Sequence, residues 1–285
     1  MGRLWIMGCG DIGRRVAGLY QMQARQATGW VRSAESLQLG SVQGIEMRRG
    51  DLDSGSFFPR AAFEGADIFW FAPPPSTGFM DTRLRRFLLA IQKAPRRIVL
   101  ISTTGVYGDC QGRWIDESEP LKPDNERSKR RLDAEKALQE WGDKYEGQWI
   151  ILRVPGIYAL DRLPLARIKR GEPVIKAEQA PWTNRIHADD LAQIAKVAME
   201  SAPANRIYNA TDGQPSTMTD YFNQIADYAG LPRPPQISLE QAPRVLSTGM
   251  LSYLQESRRI RNDKLLNELK IQLLYPSLKE ALTVF

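Results

Sequence analysis

Leu4-Trp5-Ile6-Met7 runs directly into Gly8-Cys9-Gly10-Asp11-Ile12-Gly13, and a helix-like stretch follows from Arg14. The order strand, G-x-G-x-x-G, helix is the one that seats a dinucleotide pyrophosphate on a helix N-terminus, where backbone N–H groups and the helix dipole favour negative charge. Gly8 allows the tight turn, Gly10 lets the backbone approach the phosphates, and Gly13 lets the helix pack closely on the strand. Gly8, Gly10, Asp11, Ile12 and Gly13 are therefore cofactor-binding candidates. Cys9 stands beside the positive end of that helix, where a thiol pKa can fall. The plainer reading of Cys9 is a small residue that fits beneath a pyrophosphate.

A second strand, Ala27-Thr28-Gly29-Trp30-Val31, ends in Arg32-Ser33. This is about twenty residues past the loop, where an NAD-binding chain places an Asp or Glu for the ribose 2′-OH. A carboxylate there repels a 2′-phosphate, whereas a guanidinium pairs with it by charge-assisted hydrogen bonds. Arg32 and Ser33, with Arg14 as a second partner, point to NADP, with NAD as the alternative. The contrary reading is that both arginines are simply solvated.

The 285 residues, 42% of them apolar, allow one large domain or two moderate ones with a real core. No stretch approaches the ~20 apolar residues of a membrane span. With no apolar leader ahead of Leu4 and only two cysteines, Cys9 and Cys110, the expectation is a cytoplasmic protein without a disulfide framework. A net charge of +6 raises the question of nucleic acid. The basic residues are scattered and interleaved with acids, and no aromatic-rich basic platform appears, so an anionic small molecule fits better. One histidine and two distant cysteines argue against a zinc site. The expected partners are a small-molecule substrate and, by pairing of helices, a second copy of the chain; neither nucleic acid nor membrane is expected.

Apolar runs alternate with helical patterns, the sign of βαβ units and a parallel sheet. Strands are expected at residues 44–48, 66–71, 98–102 and 149–153, with a helix from Ser128 to Trp141 whose apolar positions are Ala134, Ala137, Leu138 and Trp141. Past residue 155 the pattern breaks up. A short helix over 163–169 is expected, then one capped by Asp189-Asp190 running to Met199, a late strand at 206–210, a helix over 219–229 stopped at Gly230, a Pro-rich linker over 232–243 and a helical tail. The reading is α/β: a Rossmann-type doubly wound parallel sheet over 1–155, to which 184–210 returns, with a smaller, interleaved C-terminal substrate portion over 156–285.

From Ser102-Thr103-Thr104-Gly105-Val106-Tyr107-Gly108 onward the chain resembles the extended short-chain dehydrogenase/reductase superfamily, in particular its NAD(P)-dependent epimerase/dehydratase-like branch. The resemblance rests also on Asp51, on Ser128-Lys129 before Asp133-Ala134-Glu135, and on Leu152-Arg153-Val154-Pro155-Gly156-Ile157-Tyr158. It continues in Arg185-Ile186-His187-Ala188-Asp189-Asp190 and Tyr208-Asn209-Ala210-Thr211-Asp212-Gly213. It implies that Asp51 and Leu52 meet the adenine end, that Phe71-Ala72-Pro73 line the ribose and nicotinamide, and that Pro155 packs near the nicotinamide amide. Thr103 takes the place of the hydroxyl that positions the substrate oxygen.

The resemblance also implies a Tyr-x-x-x-Lys pair, in which the tyrosine moves the substrate proton and the lysine, four residues on and on the same helix face, supports it and holds the ribose. Placing the lysine at Lys129 puts Asn125 where the tyrosine belongs, and an amide has no proton to shuttle near pH 7. No tyrosine lies between Gly108 and Lys129. The alternatives for an acid or base are Tyr107, which the resemblance makes structural, Tyr158 after the sixth strand, and Lys129 itself. Tyr158, Trp182 and Arg185 are the substrate-binding candidates, with Arg185 the one that meets an anionic group; Trp114 is a second loop tryptophan of the same kind. His187 reads as a structural residue at the turn into the next helix. Two functions stand: an oxidoreductase acting by hydride transfer on a small hydroxyl- or carbonyl-bearing compound, or a catalytically silent NADP(H) sensor.

Overall fold

A computed structural model of the chain describes residues 2–54, 60–93 and 95–284. Seven strands form its central sheet: β1 (Leu4–Met7), β2 (Thr28–Val31), β3 (Glu46–Arg49), β4 (Asp67–Trp70), β5 (Arg97–Thr103), β6 (Gln148–Val154) and β7 (Arg206–Asn209). They lie in the order β7-β6-β5-β4-β1-β2-β3, and every neighbouring pair is parallel. A parallel strand covered on both faces must be apolar along its whole length. Accordingly, β1 and β4 are buried at all four positions. Their side chains divide by the period of two: Leu4 and Ile6 enter one core layer, Trp5 and Met7 the other.

Helices α1 (Asp11–Gln21), α2 (Ala34–Val42), α3 (Thr82–Ile91), α4 (Glu126–Tyr145), α5 (Ala188–Ser201) and α6 (Met218–Tyr228) complete the main framework. On one face α1 packs with α5, burying Val16, Ala17 and Tyr20 beside Leu191, Ile194 and Ala198. On the other, Leu84, Phe87 and Ile91 of α3 meet Ala134, Leu138 and Trp141 of α4. This is the expected doubly wound sheet, with β1 and β4 flanking the point where strand order reverses and ligands collect.

Several local expectations shift. Helix α4 starts earlier and ends later than its apolar period shows, because Asn125 caps it: its Oδ1 accepts from the Ser128 N–H at 2.9 Å. Helix α5 is capped by His187, whose Nδ1 accepts from the Asp189 N–H at 3.2 Å, so Asp189 and Asp190 sit in its first turn rather than before it. Asp190 instead accepts from Leu274 and Tyr275 N–H, holding the C-terminal segment on the fold. The Pro-rich stretch contains a strand, Gln236–Ile237, paired with Val174–Ile175. Trp141, a contact residue if the chain pairs through α4, is buried and donates to Gln92 O at 2.7 Å.

Beneath the C-terminal edge of the sheet lies a buried polar network. The Arg153 guanidinium on β6 donates to Glu135 on α4, with its shortest contact at 2.9 Å, and Ser102 on β5 donates to the same carboxylate. Arg153 also donates to the Tyr107 hydroxyl at 3.0 Å, and that hydroxyl donates to Asn209 Oδ1 on β7 at 2.7 Å. Removing one partner of such a pair leaves an uncompensated buried charge. Arg153→Leu is expected to cost about 3–5 kcal/mol in a urea unfolding series; a loss below about 1 kcal/mol would show that the pair holds nothing together.

Candidate dinucleotide and substrate clefts

The three glycines of the first loop differ in what surrounds them, and the differences match their expected tasks. Gly8 has φ +86°, and a Cβ there would lie 2.4 Å from Ala72 N, so the turn against the end of β4 admits only glycine. A Cβ on Gly13 would lie 2.9 Å from the Ile6 side chain, which sets how closely α1 approaches β1. At Gly10 it would meet nothing within 4 Å. Gly10 is also the N-cap of α1 and supplies no side-chain cap, leaving space and orphan N–H groups for an anion.

That space opens on a cleft of about 370 Å³ lined by Gly8, Gly10, Arg32, Ser33, Asp51, Leu52, Phe71, Ala72 and Pro73, together with Trp30, Ser36 and Arg83. Nine residues expected at a cofactor thus converge there. Arg32 is exposed and has no ion pair or side-chain hydrogen bond among the described residues. Beside it Ser33 caps α2, accepting from Ser36 N–H at 3.1 Å. Arg83, by contrast, is taken: it donates from Nε to Asp53 at 2.7 Å and also to Pro73 O at 2.8 Å. Asp51 Oδ1 accepts from the Asp53 N–H at 2.9 Å. The residues present therefore fit a dinucleotide, with one free guanidinium at its ribose end.

Other candidates lie elsewhere. Asp11 pairs with Arg15 and Arg162 at 3.1 and 2.9 Å, tying α1 to the following lobe. Ile12 is in the core. Arg14 does not line the cleft. Cys9 is fully buried and burial pushes its thiol up to about 12, so the helix dipole does not make it reactive.

A second cleft, of about 460 Å³, lies past the ends of β5 and β6. Thr103, Asn125 and Pro155 line it, as do Trp182 and Arg185 from further along the chain. Arg185 is buried, stacks 3.9 Å above the Tyr221 ring and donates to Ser216 Oγ at 3.1 Å. Tyr253, Glu256 and Arg258 close the cleft, and sequence reading missed them because they lie in a tail without motifs, far along the chain from the other lining residues. The Tyr253 hydroxyl stands 3.4 Å from Arg127 Nη1.

The expected acid–base group departs most from its sequence reading. Asn125 spends its amide on the α4 cap and on Glu256, to which Nδ2 donates at 3.1 Å. Lys129 is exposed, its Nζ 5.7 Å from the Phe79 ring, and lines neither cleft. Tyr107 is buried in the Arg153 network, and burial pushes its hydroxyl up to about 12. Tyr158, expected at the cleft, is buried against His187 and the C-terminal helix; its pKa is raised by burial. Trp114 stays on the surface beneath Arg259 and Arg261. No cluster of metal-ligating side chains occurs among the described residues, and none of their helices is long and apolar enough to cross a membrane.

Comparison with known proteins agrees with this geometry. The NAD dependent epimerase/dehydratase family matches residues 84–211. A structure of a functionally unknown conserved protein from Silicibacter pomeroyi superposes with a TM-score of 0.87 at 27% identity, covering 100% of this chain and 98% of that one. A dTDP-glucose 4,6-dehydratase from Bacillus anthracis, in complex with NAD, gives 0.79 at 19% identity over 100% and 95%. Protein YeeZ of Escherichia coli K12 is 28% identical over 181 residues, which is 63% of this chain and 59% of that relative's length. Over residues 84–211 the chain is thus similar to the NAD dependent epimerase/dehydratase family, and along its whole length it shares the fold of these solved structures.

Two outcomes check these environments. Gly8→Ala is expected to lose about 1–3 kcal/mol through strain, measured by thermal unfolding, while Gly10→Ala leaves stability within about 1 kcal/mol. Equal losses at both would contradict the open space at Gly10. Asp212, beside Arg185, is raised by burial from its ordinary 3.8 to about 7. A carboxyl raised in the folded state stabilises fully below its unfolded value and loses that contribution as pH rises through the folded one. Between pH 4 and 8, Asp212→Asn should therefore remove part of the fall in stability; an unchanged slope would place that titration elsewhere.

Proposed function

We propose that this chain binds NADP in preference to NAD and acts on a small hydroxyl- or carbonyl-bearing compound in the second cleft. What carries the reading is Arg32: an exposed guanidinium with no carboxylate within ion-pair distance among the described residues, beside the Ser33 cap and Ser36, in the cleft that Gly10 leaves open. A 2′-phosphate offers that group charge-assisted hydrogen bonds that a 2′-hydroxyl does not. The bound nicotinamide supplies or takes a hydride. Thr103 orients the substrate oxygen, Pro155 walls the ring, and Arg185 meets an anionic group from the far side of the cleft. Asn125 stands where the family's tyrosine is expected and contributes no proton. Tyr253 brings a hydroxyl into the same cleft from the C-terminal tail. The two unpaired cysteines accord with a cytoplasmic setting.

The commitment of Asn125 to its cap and the burial of Tyr107 and Tyr158 favour a second reading, a dinucleotide sensor without turnover. Titration with NADPH and NADH, followed by absorbance of the reduced nicotinamide over a panel of carbonyl compounds, separates the two. Arg32→Ala is expected to weaken NADPH by about 10- to 100-fold and NADH hardly at all. Equal losses would retire the NADP assignment. Binding of neither nucleotide by the wild type would overturn both readings.

A further inference from the structure

The face that α4 turns to the sheet is fixed by close contacts. A Cβ on Gly105 would lie 2.5 Å from Ser128 Oγ, so the turn after β5 rests directly on the start of α4. Arg131, nearly one turn further, donates from Nη1 to Ile101 O on β5 at 2.9 Å, and Glu135 meets Ser102 and Arg153. Ser128, Arg131 and Glu135 thus follow one another along the inner face, as the i, i+3, i+7 spacing requires. Arg127, four residues before Arg131, lines the second cleft beside Thr103. Lys129 points away from it.

The charges of the cleft do not balance. Its lining holds Arg127, Arg185 and Arg258 against Glu126 and Glu256. Glu256 is held by Arg258 at 2.7 Å, and Glu126 by Arg130 at 3.4 Å. Among the described residues neither Arg127 nor Arg131 nor Arg185 has a carboxylate within ion-pair distance, and Arg131 and Arg185 are half-buried and buried. Arg127 and Arg185 line the cleft without an ion-pair partner among the described residues, while Arg131 lies behind them toward β5, near Asp81; an anion in the cleft would meet the two lining guanidiniums.

We infer that Arg127 at the cleft, backed by Arg131 on the inner face of α4, is the functional pair of this helix rather than Asn125 and Lys129, and that the substrate carries an oxyanion, a carboxylate or a phosphate. Arg131 stands where a lysine of the family's pair holds the ribose, and Arg127 where its tyrosine faces the substrate. A guanidinium keeps its proton at neutral pH, so Arg127 binds and orients the oxyanion and transfers no proton. This inference rests on the dinucleotide reading for Arg131, whereas the oxyanion at Arg127 is testable without it.

Calorimetric titration of the full chain with NADPH, and separately with oxalate, inorganic phosphate and the uncharged oxamide, tests both parts. Arg127→Gln is expected to weaken whichever of oxalate and phosphate the wild type binds by about tenfold or more while sparing NADPH. Arg131→Gln is expected to weaken NADPH by a similar factor, and Arg131→Lys, which returns a cation to that place, to recover most of it. Lys129→Gln should change neither. Melting temperatures of each variant separate lost folding from lost binding. NADPH affinity that falls with Lys129→Gln and not with Arg131→Gln would overturn the pair. Oxalate and phosphate binding no tighter than oxamide would overturn the substrate class. A wild type that takes an oxyanion but neither nucleotide would remove the dinucleotide reading, and Arg131's role with it, while leaving Arg127's.

Discussion

The ion pair between Arg153 and Glu135 fixes how α4 lies against the sheet, and the site follows from that placement. A guanidinium and a carboxylate meeting through several N–H groups tolerate little rotation. With Ser102 on the same carboxylate, β5, β6 and α4 have one mutual arrangement. The Tyr107 and Asn209 hydrogen bonds extend the same constraint to β7. Turning α4 by even one residue would withdraw Glu135 from both partners. That is why Arg131, and not Lys129, meets β5, while Asn125 and Arg127 both reach the cleft.

The dinucleotide loop shows a complementary economy of space. Close contacts with the backbone of Ala72 at Gly8 and with the Ile6 side chain at Gly13 leave no room for a side chain, whereas at Gly10 the space is open. The helix that begins there is left without a side-chain cap, in contrast to α2, α4 and α5, which Ser33, Asn125 and His187 close. An uncapped N-terminus on the same cleft as Arg32, which has no ion pair among the described residues, makes this end of the cleft electropositive. Helix starts elsewhere in the framework are closed by a side chain of the chain itself, and this one is not.

The C-terminal lobe contributes through long-range pairings between short strands. Gly156–Tyr158 pairs with Arg185–His187, and Trp114–Ile115 with Arg259–Ile260. These pairings bring Trp182 and Arg185 to one side of the second cleft and Tyr253, Glu256 and Arg258 to its mouth. Strands of two or three residues carry little sequence signal, because alternation needs a longer run to be visible.

The sequence by itself determined the doubly wound sheet, the cofactor loop and the Arg32-Ser33 end of β2, since apolar runs, glycine spacing and capping residues act over a few neighbouring positions. It also offered Thr103, Pro155, Trp182 and Arg185 as substrate or nicotinamide residues, and the structure brings them to one cleft. Only the tertiary structure decided what Asn125, Lys129, Tyr107 and Tyr158 do. Asn125 reads as a vacant tyrosine position until its amide is seen closing a helix, and Tyr158 reads as a cleft residue until the C-terminal helix covers it. The rotation of α4 is set by contacts with β5 and β6, which lie 18 to 33 residues away along the chain. A spacing rule along one helix gives the pair but not its register. The register depends on which side chain finds a buried partner, and that is settled only once the strands are packed.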